Sequence, residues 1–283
     1  MEDYQIHITL VFVGFACLEI LMGRFLNWHL TSSKDLIIEI VSGLSIPLLI
    51  VPSVLVLTAT VLETLDPTLN NSLGHWSAAA MFFMLLVVDD LTQYWWHRAA
   101  HRFPRLYGFH RAHHSASYMS VRVVYRNSLI YYALMPGLWL SSILVHLGFG
   151  PVYIWYAIAK MTIIIAAHSS VLWDAPLLEN RLTARPMWLI RRVISTPITH
   201  HAHHGRYQED ENTHYKGNYG NFLFLWDVIF GTAKIKGGRP SKYGLENVDE
   251  AGWFAELVWP FSQTVKQYEQ DNESLSHGKE VSP

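Results

Sequence analysis

The sequence predicts an all-α protein, a multi-pass transmembrane helical bundle of four or five membrane segments. A cytosolic helical cap is expected to hold a histidine-rich dimetal site. Hydrophobic residues make up 51% of the 283 positions and charged residues only 16%, against about 25% charged in soluble domains. Five apolar segments of membrane length and three sets of helically spaced histidines complete the pattern. Together these features favour a metal site beside a bilayer.

The five apolar segments are candidate membrane helices, because about 20 apolar residues cross a 30 Å hydrocarbon core. They cover residues 6–22, 36–62, 76–96, 129–149 and 152–173. No basic region precedes the first and no small-residue cleavage site follows it, so it is expected to be retained rather than cleaved. Only Gly150 and Pro151 separate the last two, which predicts an antiparallel hairpin. Lys160 lies inside this hairpin and should face protein, water or a substrate channel.

The distribution of arginines predicts the topology. Residues 97–127 carry six arginines and no acidic residue, and residues 181–206 carry five arginines. The link 63–75 has Glu63 and Asp66 but no Lys or Arg. With an outside N-terminus and five crossings, both arginine-rich segments and all histidine sets fall on the cytoplasmic face. Four crossings with a re-entrant element remain compatible if the first segment or the hairpin does not fully span, and plasma (inner) membrane and endoplasmic reticulum are not distinguished.

The chain is expected to form a single membrane domain over residues 1–283, with residues 6–96 as its N-terminal transmembrane part. Segments 184–197 and 253–265 mix aromatic, aliphatic and charged residues, which suits helices lying in the membrane interface. The polar residues 267–283 are expected to be poorly ordered. A net charge of −2 gives no global basic excess for nucleic acid. The partners expected are therefore the membrane and small molecules within it.

Three histidine sets organise the rest of the chain, as HRAAH at 97–101, HRAHH at 110–114 and HHAHH at 200–204. Spacings of three and four put the imidazoles of each set on one helix face. Pro104 and Gly108 should break the helix between the first two sets and let them fold together. The histidines on these faces are His97, His101, His110, His113, His114, His200, His203 and His204.

The number and type of these side chains limit the chemistry. Eight imidazoles are too many for one tetrahedral ion and suit two ions with three to five ligands each. The single cysteine, Cys17, excludes an internal disulfide, a Cys-ligated zinc site and an iron–sulfur cluster. No glutamate follows His97 as in HExxH metalloproteases, and no Glu-x-x-His pair accompanies the sets. A histidine-dominated dimetal centre remains.

The three sets, with Asp90 and Tyr94-Trp95 before them and the segments 218–220, 226–227 and 230–232 after them, resemble the fatty acid hydroxylase / sterol desaturase superfamily. The resemblance covers residues 90–233, which would form the catalytic region. It implies a membrane-embedded non-haem di-iron enzyme that uses O₂ and two electrons to oxidise a C–H bond of a lipid. The dimetal centre itself would be the catalyst, and the lipid would enter from the bilayer.

The resemblance also implies roles for particular residues. The metal ligands would be the eight histidines above together with His168, which takes the place of a further family histidine. A family HxxxH pair has no counterpart, because Ile164 and Leu172 lie four residues to either side. The ions would be two Fe, with Zn possible as an adventitious occupant because it binds such ligands more tightly than Fe(II). Residues that would support the ligands are Asp90, Asp227, His201, His214 and Asn218. The carboxylates of Asp90 and Asp227 would accept imidazole N–H groups and so orient the rings, although a charge at a helix end in the interface is an equally good interpretation of both.

Several alternatives stay open at this stage. No GxGxxG, Walker or HPGG motif is present, so electrons would come from a separate reductase, cytochrome or ferredoxin. Hydroxylation is favoured, but desaturation would use the same site. A zinc-dependent membrane hydrolase and a bis-histidine haem electron-transfer protein are alternatives from other functional classes. The hydrolase would work without oxygen, whereas the haem protein would leave six of the eight histidines unexplained.

Overall fold

The computed structural model describes residues 2–235, 238–246 and 251–259, and its regular elements there are helical, as predicted. Two isolated antiparallel bridges, Ile194–Leu223 and Gly205–Tyr243, are the exception. Two helix pairs are continuous through π-helical turns at Ile46–Ile50 and Leu86–Asp90, whereas the third such turn, Val145–Phe149, contains the non-helical residue Gly148. The helices are α1 Glu2–Leu21, α2 Ser33–Ser45, α3 Val51–Leu65, α4 Ala78–Leu85, α5 Leu91–Arg102, α6 Pro104–His114, α7 Leu129–Ala133, α8 Pro136–Leu144, α9 Gly150–His168, α10 Asp174–Glu179, α11 Ala184–Val193, α12 Pro197–His203, α13 Leu225–Ile229 and α14 Trp253–Val258.

Two helical stretches are long and apolar enough to cross a membrane, Ser33–Leu65 and Pro136–His168. Each is 33 residues long, and the second is interrupted at Gly148. Only 17% of the most apolar window of the first is buried. A core helix of a soluble protein would instead turn most of such a surface inward. The apolar part of α1, Gln5–Leu21, is shorter. The number of crossings, four or five, therefore stays a prediction.

The break between α8 and α9 falls at Gly148 rather than at Gly150–Pro151. Gly148 has a φ of 114°, and a Cβ there would lie 2.6 Å from Oδ1 of Asn71. The backbone N–H groups of Asn71 and Leu73 donate to the carbonyls of His146 and Leu147 at 3.0 and 2.8 Å. The acidic link after α3 thus packs on this turn. Both lie at one end of the bundle, although the side of the membrane that this end faces stays a prediction.

Gly108 does not break the helix between the first two histidine sets, contrary to expectation. The break lies at Phe103, where the chain is extended, and Pro104 starts α6. Gly108 lies inside α6, where a Cβ would be 2.1 Å from the indole of Trp259. Its role is to admit this ring, so the missing side chain serves helix packing rather than a turn.

The segments expected to lie in the interface have different environments. α11 is amphipathic, with Met187 buried, Trp188 and Leu189 exposed and the Arg192 guanidinium 3.6 Å from the Trp188 ring centre. α14 instead packs against α2, α6 and α7 and buries Leu257. Membrane contact by either helix stays a prediction. Residues 260–265 and the tail 267–283 lie outside the described residues.

Lys160 faces protein within the bundle. Its Nζ lies 2.5 Å from Oδ2 of Asp89, and that oxygen also accepts the hydroxyl of Tyr156 at 2.7 Å. Asp89 follows from no sequence motif, yet it supplies the charge partner that a lysine in an apolar helix needs.

Replacing Asp89 with leucine is expected to destabilise the bundle by about 2.5–3.5 kcal/mol, because Lys160 then remains charged without a partner in an apolar helix. Thermal unfolding in detergent micelles measures the effect. The double variant Asp89→Leu/Lys160→Met removes both charges and should regain most of the lost stability. A single variant as stable as the wild type would show that the ion pair contributes nothing.

Candidate metal centre

The fold brings the three histidine sets together in one place. α5 contributes His97 and His101, and α6 packs against it with the second set. α12 carries the third set and packs against the end of α9, where His168 lies. The first group consists of His97, His101, His110, His114 and His203, and the second of His113, His168, His200 and His204. Within each group the candidate ligand nitrogens all lie within 4.8 Å of one another.

Most of these imidazoles are oriented by a fixed acceptor on Nδ1. Backbone carbonyls hold four rings and a side-chain amide holds a fifth. The pairs are His97 with Tyr219 O at 2.7 Å, His113 with Arg126 O at 3.1 Å, His168 with Ile164 O at 2.8 Å, His203 with Gly217 O at 2.8 Å, and His110 with Asn127 Oδ1 at 2.8 Å. Because these acceptors require the proton on Nδ1, the neutral rings turn an Nε2 lone pair inward.

The inward-facing Nε2 atoms lie closer to one another than two nitrogen lone pairs would without a proton or cation between them. Nε2 of His97 lies 2.9 Å from that of His110 and 3.0 Å from that of His203. In the second group, Nε2 of His168 lies 3.3 Å from that of His113. With each proton on Nδ1, these pairs are acceptor against acceptor. Two nitrogens about 2.1 Å from one ion at right angles are separated by about 3.0 Å, so the donor set fits cations.

Buried nitrogens without partners support the same fit. His101 and His114 have Nε2 atoms, and His200 an Nδ1 atom, that are buried without a hydrogen-bond partner in the described part of the chain. Unpaired buried polar atoms of this kind point to an ion or water that satisfies them.

Burial keeps these rings neutral. It lowers the pKa of His97 to about 4 and lowers the pKa of His101, His110 and His203 well below the usual value. Neighbouring imidazoles add to this effect, because a second proton would bring two positive charges together. The rings are therefore in the state that a metal ion requires.

Asp227 does not accept an imidazole N–H, contrary to expectation. It accepts the backbone N–H groups of Tyr219 and Gly220 at 2.8 and 2.6 Å and the hydroxyl of Thr232 at 2.6 Å. The Tyr219 carbonyl then holds His97 at 2.7 Å. Asp227 therefore acts on His97 only through the backbone of Tyr219. The Tyr219 carbonyl accepts the imidazole N–H that the Asp227 carboxylate was expected to accept.

Replacing Asp227 with asparagine is expected to destabilise the protein by about 1–3 kcal/mol, because a buried N–H then faces an amide donor. The Tyr219 carbonyl should loosen with it, and metal affinity should fall about 10–100-fold. Thermal unfolding and metal titration measure the two effects. Thr232→Val removes the hydroxyl that donates to Asp227 and contacts the Tyr94 hydroxyl, but it leaves both backbone N–H contacts of Asp227 in place and should have the smaller effect on both. Equal effects of the two variants would contradict this role.

The remaining supporting residues also have other contacts than expected. Asp90 accepts the indole N–H of Trp226 at 2.8 Å and the N–H of Leu223 at 3.2 Å, so it anchors the segment before α13 rather than a histidine. The Asn218 amide donates to the carbonyls of Thr199 and Lys234 at 2.8 and 3.0 Å. Asn218 therefore fixes the backbone directly before the third set, at Thr199.

The two extra histidines lie outside both groups. His201 donates Nε2–H to the Ser169 carbonyl at 3.0 Å, and its Nδ1 accepts the Tyr243 hydroxyl at 2.9 Å. Both nitrogens are thus used, and the residue is buried rather than on the surface. His214 donates Nε2–H to the Thr232 carbonyl at 3.1 Å.

Sequence reasoning missed three residues that hold the site in place. The side-chain amide oxygen of Asn127 accepts from His110, and the backbone carbonyl of Arg126 accepts from His113. The position of neither residue in the sequence indicates this role. Glu19 of α1 is fully buried and accepts the hydroxyls of Ser120 and Ser169 at 2.6 and 2.9 Å. It therefore ties α1 to the backbone directly after His168. A carboxylate inside an apolar segment was the available signal for Glu19.

Comparisons with known proteins find relatives that match a little more than half of the chain. Alkylglycerol monooxygenase of Danio rerio is 28% identical over 56% of this chain and 31% of its own length. Ornithine lipid hydroxylase OlsE of Rhizobium tropici is 30% identical over 59% of this chain and 46% of its own length. The chain thus spans less than half the length of these relatives, and no solved structure matches it. The family model for fatty acid hydroxylase matches residues 82–232, more than half of the sequence. The chain belongs to the fatty acid hydroxylase family, which confirms the resemblance carried by the histidine sets.

Proposed function

We propose that this protein is a membrane-bound non-haem di-iron oxidoreductase that uses O₂ to hydroxylate a C–H bond of a lipid. The observation that carries the proposal is the pair of adjacent groups of five and four histidines, with ring nitrogens turned inward. Membership of the fatty acid hydroxylase family supports the lipid substrate. The relatives named above, a monooxygenase and a lipid hydroxylase, support the reaction class.

The residues of the chain have a defined part in this chemistry. Two iron ions held by the two groups would supply oxygen activation and the oxidising power for the C–H bond. The neutral imidazoles add no negative charge, so anionic species derived from oxygen would be attracted to the centre. Carbonyl acceptors such as Tyr219 O fix the rings in their metal-binding tautomer. His97 and His203 are fully buried, so these residues would keep bulk water from any ions bound there.

The substrate and the electrons would come from outside the chain. The lipid would enter from the bilayer, since Ser33–Leu65 turns a largely exposed apolar surface outward. A separate electron-transfer protein would supply two electrons for each O₂. The histidine groups would lie at the cytoplasmic face, as the arginine-rich links predict.

The proposal is tested by lipid analysis of cells that carry the intact gene, no gene or the His113→Ala variant. A lipid that gains one oxygen only with the intact site supports hydroxylation, whereas loss of two hydrogens would indicate desaturation. The exposed His75 lies outside both groups, and His75→Ala serves as the matched control. Product formed without oxygen would overturn the proposal and favour a zinc-dependent hydrolase.

A further inference from the structure

A concavity of about 530 Å³ lies outside both histidine groups. It is formed by the link between α1 and α2, the segment after α6 and the bridged segments at residues 205–206 and 241–243. Four of its lining side chains are cationic, and none of those in the described residues is acidic. The cationic residues of this basic pocket are Arg24, Arg206, Arg239 and Lys242.

Among the described residues, none of the four cationic side chains of the basic pocket forms an ion pair with a carboxylate. The carboxylate of Asp210 accepts the backbone N–H groups of Ser241 and Asn212 at 2.6 and 2.9 Å. Nε of Arg206 is buried and has no hydrogen-bond partner in the described part of the chain. Like charges gathered in a concavity repel one another unless an anion lies between them. The geometry therefore favours an anionic ligand with several acceptor oxygens.

The position of the basic pocket indicates the source of that anion. Its wall includes Arg24, Asn27 and Leu30 of the link between two apolar helices. The same link exposes Leu26, Trp28 and Leu30 by 38, 65 and 47%. Exposed Trp and Leu beside arginine are typical of the headgroup level of a bilayer. Arg24 donates to the carbonyl of Ser170, two residues past His168, which puts the pocket at the histidine end of the bundle. A lipid headgroup fits into a concavity of this kind better than the flat surface of a partner protein would.

We propose that the basic pocket binds the phosphate of an anionic phospholipid headgroup, with Arg206 and Arg239 as the main phosphate contacts. The exposed apolar link would lie against the acyl chains of the same lipid. This binding goes beyond the proposed oxidation and does not depend on the metal ions.

Binding is measured on the full chain in dodecyl maltoside with three probes, namely dioctanoyl phosphatidylglycerol, dioctanoyl phosphatidylcholine and inorganic phosphate. Phosphatidylglycerol should bind at least about tenfold more tightly than either other probe, and added salt should weaken it. Arg206→Gln/Arg239→Gln should lower its affinity by at least about tenfold. Arg185 is exposed on α11 outside the pocket, so Arg185→Gln is the matched control and should bind as the wild type does.

A second variant keeps the binding test valid if the double variant misfolds. Lys242 is exposed, and Lys242→Glu should also weaken phosphatidylglycerol binding without a change in metal content. Unchanged binding by both variants would overturn the proposal. Equal affinity for inorganic phosphate would overturn the lipid assignment. Normal lipid binding with impaired reduction by an acidic electron-transfer protein would assign the pocket to that protein instead. Metal content is measured in parallel, so that each of these outcomes can be distinguished from a failure of the proposed lipid hydroxylation.

Discussion

Replacing His97 with alanine is expected to remove metal from the five-histidine group and to lower product formation by more than about a hundredfold. Nε2 of His97 lies 2.9 and 3.0 Å from the Nε2 atoms of two other rings in its group, so it is central to the donor set. Changes in residues that merely support metal ligands cost about 10–100-fold in affinity or activity, and removing a ligand should cost more. Elemental analysis of purified protein gives the metal content, and lipid analysis gives the rate.

Two further variants show whether the histidines divide as the structure groups them. His168→Ala should deplete the four-histidine group, since its Nε2 lies 2.9 Å from that of His200. His201→Asn should keep both ions, because both ring nitrogens of His201 already have protein partners. If His97→Ala retained two ions per chain, or His201→Asn lost one, the grouping would be wrong.

The sequence was sufficient to locate the histidines because their geometry is local. Within one helix, spacings of three and four fix which rings share a face, whatever the rest of the chain does. The convergence of HRAAH, HRAHH and HHAHH was predicted from the hypothesis that eight imidazoles share one dimetal site, and the structure brings the three sets together. His168 stands alone in an apolar segment, and only the family resemblance pointed to it.

The groups that orient the histidines could not be predicted, because they depend on tertiary contacts. A carbonyl such as Gly217 O or Tyr219 O exists at every residue, so no residue type marks it as an acceptor. The carboxylate Asp227 was therefore expected to contact a ring that a carbonyl holds instead. Gly108 was expected to break a helix for a similar reason, since the indole of Trp259 that fills its place comes from far along the chain.

Apolar length was a partial guide to the membrane part. It identified the region of Ser33–Leu65, whose prolines Pro47 and Pro52 lie in or beside a π-helical turn and leave the helix continuous. It also identified the region of α8 and α9 but placed the break two residues late. Asn71 and Gly74 pack against Gly148 and decide its position, and they come from a different link.

Replacing Arg126 with methionine is expected to destabilise the protein by about 3–5 kcal/mol, because the buried carboxylate of Asp35 loses its ion-pair partner. The Arg126 side chain is fully buried, and its Nη2 donates to Asp35 Oδ1 at 2.6 Å. Its Nη1 lies 3.7 Å from Glu39 Oε1, and its Nε donates to the carbonyl of Ala112, next to His113, at 2.7 Å. This one guanidinium therefore links helix α2 to the histidine set on α6. Thermal unfolding in detergent measures the loss.

The same variant should weaken metal binding, because the Arg126 carbonyl holds Nδ1 of His113 at 3.1 Å. Without the guanidinium this carbonyl is less well fixed, and affinity should fall about 10–100-fold. Arg126→Met/Asp35→Asn removes the unpaired charge while keeping an acceptor for Ser32, and should recover much of the stability but not the metal affinity. Recovery of both would mean that charge balance alone matters, whereas metal loss that persists in the restabilised protein shows that Arg126 orients His113.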